Sequence, residues 1–229
     1  MISIEKKIIA IGGGGFTHQV DESLDQFILD QSKSYNNKIG FLATASKDDK
    51  EKIDLFYKRF EKTDSELSHF NLTSNVDGFT EWLFSKDIIY IGGGNTVFML
   101  DIWKKYKLEN IFKDAYKKGI ILSGVSAGAV CWFEWILSDS VGPGFNPIRG
   151  INLISGSCTP HSSNIERINQ FALNIKNNKL PKGIAIDDGV AVVFIDGKPT
   201  DVYSSRKNHK AYFLDKNKKI NLKEYIKNI

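Results

Sequence analysis

Hydrophobic residues along this chain follow two rhythms: short unbroken runs, and stretches spaced at three and four. The run KKIIAI (6–11) reads as a strand and leads into four glycines. Leu24, Phe27 and Ile28 then sit at helical spacing. KIGFLAT (38–44) reads as a second strand, followed by Ile53, Phe56, Tyr57 and Phe60 in the i, i+3, i+4, i+7 pattern of an amphipathic helix. ELSHFNL (66–72) is a weaker third strand. DIIYI (87–91) is a clear one and runs into GGGNT. Thr96 is the expected N-cap of the next helix, with Val97, Leu100 and Trp103 on one face. Residues 119–123 read as another strand, and the AVCWFEWIL that comes soon after has a helical pattern. Ile168, Phe171, Ala172 and Ile175 mark a later helix.

The last third differs. In GIAIDDGVAVVFIDGKPTDVYSSRKNHKAYFL the apolar runs are separated by DDG, DGKP and RKNHK, which are turn signals for antiparallel pairing. A βαβα front half and an antiparallel back half predict an α/β fold: a three-layer sandwich with a mostly parallel central sheet and C-terminal antiparallel strands. No Pro/Ser-rich linker, repeat or low-complexity tract divides residues 1–229, so a single domain is expected.

Composition narrows the function classes. Apolar residues make up 41% and charged residues 25%, as in ordinary globular proteins. The net charge of +4 comes from lysines interleaved with acids, and the basic run KNKKINLKEYIKN reads as a solvated face rather than a nucleic-acid footprint. Two cysteines, Cys131 and Cys158, give no disulfide framework and fit a reducing cytosol. The N-terminal MISIEKKIIAIGGGG lacks a signal-peptide pattern, and no apolar window approaches the roughly 18 residues of a membrane helix. A cytoplasmic protein is expected, with neither nucleic acid nor membrane as partner.

The candidate chemistry centres on GIILSGVSAGAV (119–130). Gly124-Val125-Ser126-Ala127-Gly128 matches G-x-S-x-G between a strand and a helical pattern, the context of a nucleophile elbow. Small neighbours let the backbone turn sharply and lift the Ser126 hydroxyl from the sheet edge. The Ala127 N–H then points where an oxyanion would form. A glycine-rich turn made only for close packing would read the same way. A serine nucleophile needs a base, and an imidazole is the usual one. His18 follows the first glycine loop, and His69 reads as structural. His161, in SCTPHSSN, and His209, in KNHK, are the contenders. The orienting carboxylate has candidates in Asp187 and Asp188, which interrupt the apolar GIAIDDGVAV, and in Asp139.

Other motifs carry less. Gly92-Gly93-Gly94 ends a strand where a second oxyanion donor is needed, since glycine N–H groups approach a substrate without Cβ obstruction. IGGGGFT (11–17) fails G-x-G-x-x-G, because the last position is Thr17 or His18, and no Walker lysine follows. Cys158-x-x-His161 has no second pair to make a metal site. Cys131 reads as a small core residue.

YIGGGNTVFML, then GVSAGAV some thirty residues on, then the Pro160-His161 segment, together resemble the peptidase S51 family. That family includes the aspartyl dipeptidases of the peptidase E type and the cyanophycinases. The resemblance extends from about residue 7 to 195. It implies a fold like the class I glutamine amidotransferases with serine at the elbow, and a serine peptidase acting on a short peptide or isopeptide. It implies Ser126 as nucleophile, His161 as base, and N–H groups of Ala127 and of Gly93 or Gly94 as the oxyanion hole. GIAIDD places Asp188 at the acid position of the cyanophycinase-like branch, whereas the peptidase E pattern points to Asp139. LISGSCTPHSSNIERINQF is closer to the former, which favours Asp188. Arg167 and Arg206 are candidates to grip a substrate carboxylate, with Asn95 a further substrate-binding candidate. Neither metal nor organic cofactor is implied, the partner is a small peptide, and a homodimer is a candidate assembly. The rival readings are an α/β-hydrolase-type esterase using Ser126, Asp188 and His209, a non-catalytic small-molecule-binding relative, and a nucleotide-binding module.

Overall fold

A computed structural model describes residues 4–34 and 36–228; the first three residues of the N-terminal stretch discussed above lie outside it. The first half alternates strand and helix: β1 (Lys7–Ile11), α1 (Glu22–Asp30), β2 (Lys38–Leu42), α2 (Lys50–Phe60), β3 (Glu66–His69), α3 (Phe79–Phe84), β4 (Ile88–Ile91), α4 (Thr96–Lys105), α5 (Leu108–Lys117) and β5 (Ile121–Val125). The second half holds a one-turn helix α6 (Ala127–Val130), β6 (Phe133–Ser138), β7 (Asn146–Arg149), β8 (Ile154–Thr159), α7 (Ile165–Lys176), β9 (Gly183–Ile186), β10 (Val190–Ile195), β11 (Lys198–Ser204), β12 (Ala211–Leu214), β13 (Lys219–Asn221) and α8 (Leu222–Ile226).

Seven strands form one sheet in the order β11-β10-β1-β5-β4-β2-β3, parallel from β1 to β3 and antiparallel at β10 and β11. Six form a second sheet, β13-β12-β9-β8-β6-β7. The central strands of the first sheet are apolar without alternation because both faces are covered. Ile9, Ile11, Phe41 and Tyr90 meet Leu24 and Ile28 of α1 and Phe56 and Phe60 of α2. On the other face Ile8, Ala10, Ile89, Ile91 and Leu122 share a core with Met99 and Trp103 of α4, Phe112 of α5, and Phe133, Ile136 and Ile184 of the second sheet. The result is a three-layer α/β sandwich with an appended sheet, whose outer side is covered by Phe171 and Ile175 of α7. Among the described residues no helix is long and apolar enough to cross a membrane.

The pattern of the chain misplaces several details. AVCWFEWIL is helical only to Val130, and FEWILS is the strand β6. Its backbone is wanted on both sides, by β7 antiparallel and by β8 parallel, and that pairing overrides the helical spacing. The strand expected at 119–123 begins two residues later, because the Gly119 N–H still bonds to the Tyr116 carbonyl in the turn that ends α5. The N-cap of α4 is Asn95, whose Oδ1 accepts the Phe98 N–H at 2.9 Å. Thr96 is already helical, so the buried face is Thr96, Met99 and Trp103 rather than Val97, Leu100 and Trp103. Ala172 faces solvent on α7.

Two of the three C-terminal turn signals are not hairpins. DGKP joins the antiparallel pair β10 and β11. DDG instead carries the chain from β9 in the second sheet to β10 in the first, and the RKNHK segment lies on the return from β11 to β12.

Close packing of backbone on backbone marks the end of β5. A Cβ on Gly128 would lie 2.7 Å from the Ile91 carbonyl carbon and closer still to its oxygen. Neither group can give way, since both belong to ordered main chain. Gly128→Ala is expected to lower the unfolding free energy by about 1–3 kcal/mol, read from urea unfolding. An unchanged midpoint would mean that the turn and β4 are not in contact.

Candidate active site

The turn after β5 has the geometry of an elbow. Ser126 sits at φ 55° and ψ −114°, outside the regions that L-residues favour. Three contacts hold it there. The Ser126 N–H donates to the Ile11 carbonyl at 2.9 Å, tying the turn to the end of β1. A Cβ on Gly124 would strike the Gly128 and Ile91 carbonyl oxygens. The Ala129 and Val130 N–H groups both donate to the Ser126 carbonyl and start α6. The serine hydroxyl is thereby lifted from the carboxyl edge of the parallel sheet, where α/β sheets hold their ligands.

Ser126 Oγ lies 2.8 Å from His161 Nε2, and His161 Nδ1 lies 2.5 Å from Asp188 Oδ1. Since a carboxylate only accepts, Nδ1 carries the proton and Nε2 is free to take one from the hydroxyl. His161 comes from the second sheet. It follows β8 and Pro160 at φ 49°, and its N–H reaches the Gly12 carbonyl at 3.3 Å. Asp188 lies where the chain crosses between sheets. Its second oxygen accepts the Ser163 hydroxyl at 2.7 Å. The hydrogen bond from His161, helped by Ser163 and the nearby Arg206 charge, holds the Asp188 carboxyl below the usual carboxylate range despite its partial burial.

Asp187 has a different part. It is buried, accepts the Ser162 hydroxyl at 2.5 Å and the Lys210 N–H at 2.9 Å, and so fixes the residue after His161. His209 donates Nδ1–H to the Asp188 main-chain carbonyl at 2.7 Å and is not bonded to Ser126. His69 bonds to Tyr57.

Each substrate-binding candidate has at least one polar atom engaged within the fold. Asn95 caps α4. Arg167 is buried, pairs with Asp139 at 2.5 Å, and lies over the Phe145 ring. Asp139 is therefore bound to Arg167 and not to His161. Arg206 grips Asp21 with both Nε and Nη2, at 3.0 and 2.7 Å, which depresses the Asp21 carboxyl and raises Arg206. Of the backbone groups expected of an oxyanion hole, Ala127 follows the serine and Gly93 lies beside it, while Gly94 packs against the Ala45 main chain. A Cβ on Gly93 would lie 3.4 Å from Ser126 Cβ. The N–H groups of Gly93, Gly94 and Ala127 have no acceptor among the described residues.

The first glycine loop belongs to this site, which sequence reasoning missed. Gly13 bridges Asp188 in parallel register, and the Gly189 N–H donates to its carbonyl at 2.8 Å. A Cβ at Gly13 would lie 2.7 Å from His161 Nδ1 and overlap the Asp188 carboxylate. The signal available was the glycine run itself, once the dinucleotide pattern had failed. Behind the loop, Asp25 is fully buried. It accepts the Phe16 N–H at 3.4 Å and Arg59 Nε at 3.0 Å. Burial raises its carboxyl to about 6, against the opposing pull of Arg59.

Comparison with known proteins places the chain among peptidases. The family model for Peptidase family S51 matches residues 8–202. The uncharacterized peptidase YgaJ of Bacillus subtilis (strain 168) is 40% identical over 210 residues, 90% of this chain and 91% of that protein. A crystal structure of a peptidase from an acI-B1 Actinobacterium superposes with a TM-score of 0.70 at 16% identity, covering 96% of this chain and 94% of that one. A putative peptidase E protein from Listeria monocytogenes EGD-e gives 0.65 at 18% identity, covering 87% and 98%. At these identities the two structures show a shared fold.

Two outcomes follow from the loop. Gly13→Ala should displace the imidazole and cut labelling of Ser126 by a fluorophosphonate at least ten-fold; an unchanged rate would deny the contact. Asp25 holds its proton more tightly folded than unfolded, so its contribution is full below pH ~4 and is lost as pH rises through about 6. The stability of the native protein relative to Asp25→Asn should fall over that window by roughly 3 kcal/mol at most. Urea unfolding at pH 4, 5, 6 and 7 reads this difference, and a flat or rising one would contradict the burial argument.

Proposed function

The chain belongs to peptidase family S51 and is a serine-type peptidase; from that premise we propose that Ser126, His161 and Asp188 carry out its reaction on a short peptide or isopeptide. Ser126 Oγ attacks the scissile carbonyl while His161 Nε2 takes its proton. The tetrahedral oxyanion is held by N–H groups of Ala127 and of Gly93 or Gly94. His161 then returns the proton to the departing nitrogen, the C–N bond breaks, and the acyl group remains on Ser126. Water, deprotonated by the same imidazole, hydrolyses that ester and releases the acid. Asp188 keeps the proton on Nδ1 and stabilises the imidazolium that forms twice in the cycle.

The observation that carries this reading is the unbroken relay of Ser126 Oγ to His161 Nε2 at 2.8 Å and His161 Nδ1 to Asp188 Oδ1 at 2.5 Å. The depressed Asp188 carboxyl adds to it, because an ionised partner is what an imidazolium needs. Its reach into the acid range also means that this ion is present throughout the neutral range.

The reading is tested by hydrolysis of a dipeptide and β-aspartyl-arginine library. Ser126→Ala and His161→Ala should each lower kcat/KM by 10³-fold or more, and Asp188→Asn by about 10²–10⁴-fold. His209→Ala should retain activity within about ten-fold. Turnover surviving in Ser126→Ala, or vanishing in His209→Ala but not in His161→Ala, would reject the assignment.

A further inference from the structure

The ion pair between Arg206 and Asp21 takes no part in the reaction sequence above, yet Asp21 forgoes a helix cap to make it. Asp21 immediately precedes α1, a position where an aspartate ordinarily accepts helix N–H groups. Its carboxylate accepts none of them, and its backbone is held at φ 55°, a left-handed conformation that residues with side chains disfavour. The oxygens turn instead to the loop between β11 and β12. Oδ1 accepts Arg206 Nε at 3.0 Å and the Ser205 hydroxyl at 2.8 Å, and Oδ2 accepts Arg206 Nη2 at 2.7 Å. Two prongs on one carboxylate fix the guanidinium in orientation as well as in position.

The pair lies across the seam that carries the Asp188–His161 contact. The Asp21 carboxylate rests on Gly14, where a Cβ would lie 2.5 Å from Oδ2. The Arg206 stem rests on Gly189, where a Cβ would lie 2.7 Å from Cγ. Gly14 follows Gly13, and Gly189 follows Asp188. These neighbours are joined in turn, since the Gly189 N–H donates to the Gly13 carbonyl at 2.8 Å. Two further bonds from the same loop reach the crossing: the Ser205 N–H to the Gly189 carbonyl at 2.9 Å, and His209 Nδ1–H to the Asp188 carbonyl at 2.7 Å. Asp188 stands between β9 and β10 and belongs to neither strand, so its carboxylate keeps its aim only through such contacts. The Arg206 charge also favours the ionised Asp188 carboxylate. The other charged or titratable groups nearby are Asp187 at the crossing, His209 on the same loop, the Arg167–Asp139 pair at α7, and His18, whose ring centroid lies 6.5 Å from that of His161.

We propose that Arg206 is a positioning residue for the reaction: clamped to Asp21, it presses the Gly13–Gly14 turn against the Asp188–Gly189 crossing and so holds the Asp188 carboxylate on His161. This rests on Ser126 and His161 acting as nucleophile and base. The intact pair is neutral overall, so removing either half leaves the charge of the other uncompensated beside the imidazole. The two halves therefore act on His161 with opposite sign, which a purely structural staple would not do.

The test follows the rate at which a fluorophosphonate labels Ser126 in the full-length protein between about pH 5 and 9, a rate that rises as His161 loses its proton. In Arg206→Gln the plateau rate should fall by about five-fold or more, and the midpoint should move up by about 0.5–1 pH unit, because Asp21 is left unpaired beside the imidazolium. Asp21→Asn keeps an oxygen for Arg206 and Ser205 but removes the negative charge, so its midpoint should move down. Arg206→Lys keeps the charge and loses one prong; it should hold the wild-type midpoint to within about 0.3 unit and label more slowly. His18, His209, Asp187 and the Arg167–Asp139 pair are the same in every variant, so differences between variants report the Arg206–Asp21 pair. A wild-type plateau rate in Arg206→Gln would overturn the proposal. Midpoints that stay at the wild-type value in both Arg206→Gln and Asp21→Asn would overturn it too, leaving a structural staple. If Arg206→Gln does not fold, Arg206→Lys and Asp21→Asn decide: a wild-type rate in the first or an unmoved midpoint in the second overturns it. Wild-type protein that is not labelled at all would remove the nucleophile itself, a different failure from wild-type labelling that the variants leave unchanged.

Discussion

The contact of Gly13 with the His161–Asp188 pair is the constraint on which the site depends. Gly13 continues β1 in the first sheet. His161 follows β8 in the second, and Asp188 occupies the crossing from β9 to β10. Three segments distant in sequence can meet there only because one of them has no side chain. The same edge receives the elbow, since Ser126 N–H bonds to the Ile11 carbonyl two residues before Gly13. Imidazole, carboxylate and hydroxyl are thus referenced to one strand end, which is how a chain of two hydrogen bonds keeps its geometry.

The crossing also accounts for acids that interrupt an apolar run. A buried carboxylate is costly unless partnered, and both Asp187 and Asp188 are partnered on arrival. Asp187 takes Ser162 and the Lys210 N–H, while Asp188 takes His161 and Ser163. Adjacent residues on an extended chain point to opposite sides, so one aspartate braces the segment after His161 and the other faces the imidazole. Arg206–Asp21 and Arg167–Asp139 surround this pair with further matched charges. Their guanidinium groups bear on Asp188 through space rather than by direct bonding.

Much of this was legible in the chain. Apolar runs without alternation mark strands covered on both faces, and β1, β2, β4 and β5 follow from them because burial is a local property of composition. Gly124 and Gly128 around Ser126 mark the elbow because the G-x-S-x-G pattern spans five residues, although the main chain that Gly128 packs against belongs to β4. Less was legible where long-range pairing decides the outcome. FEWILS has helical spacing but is claimed by two neighbouring strands. Arg167 and Arg206 read as free cations, and only the fold brings Asp139 and Asp21 to them.

The sequence by itself determined the parallel α/β order, the serine turn and a short set of histidines and acids from which a relay could be drawn, because each is marked by residues a few positions apart. It left His161 and His209 open as contenders, and gave no part to the loop at Gly13. Those were decided by tertiary structure. The separation of the second sheet from the first, and the points where the chain passes between them, fix which imidazole faces the hydroxyl and which faces a carbonyl. No local pattern encodes a distance between residues 13, 126, 161 and 188; the packing of two sheets through a common core does.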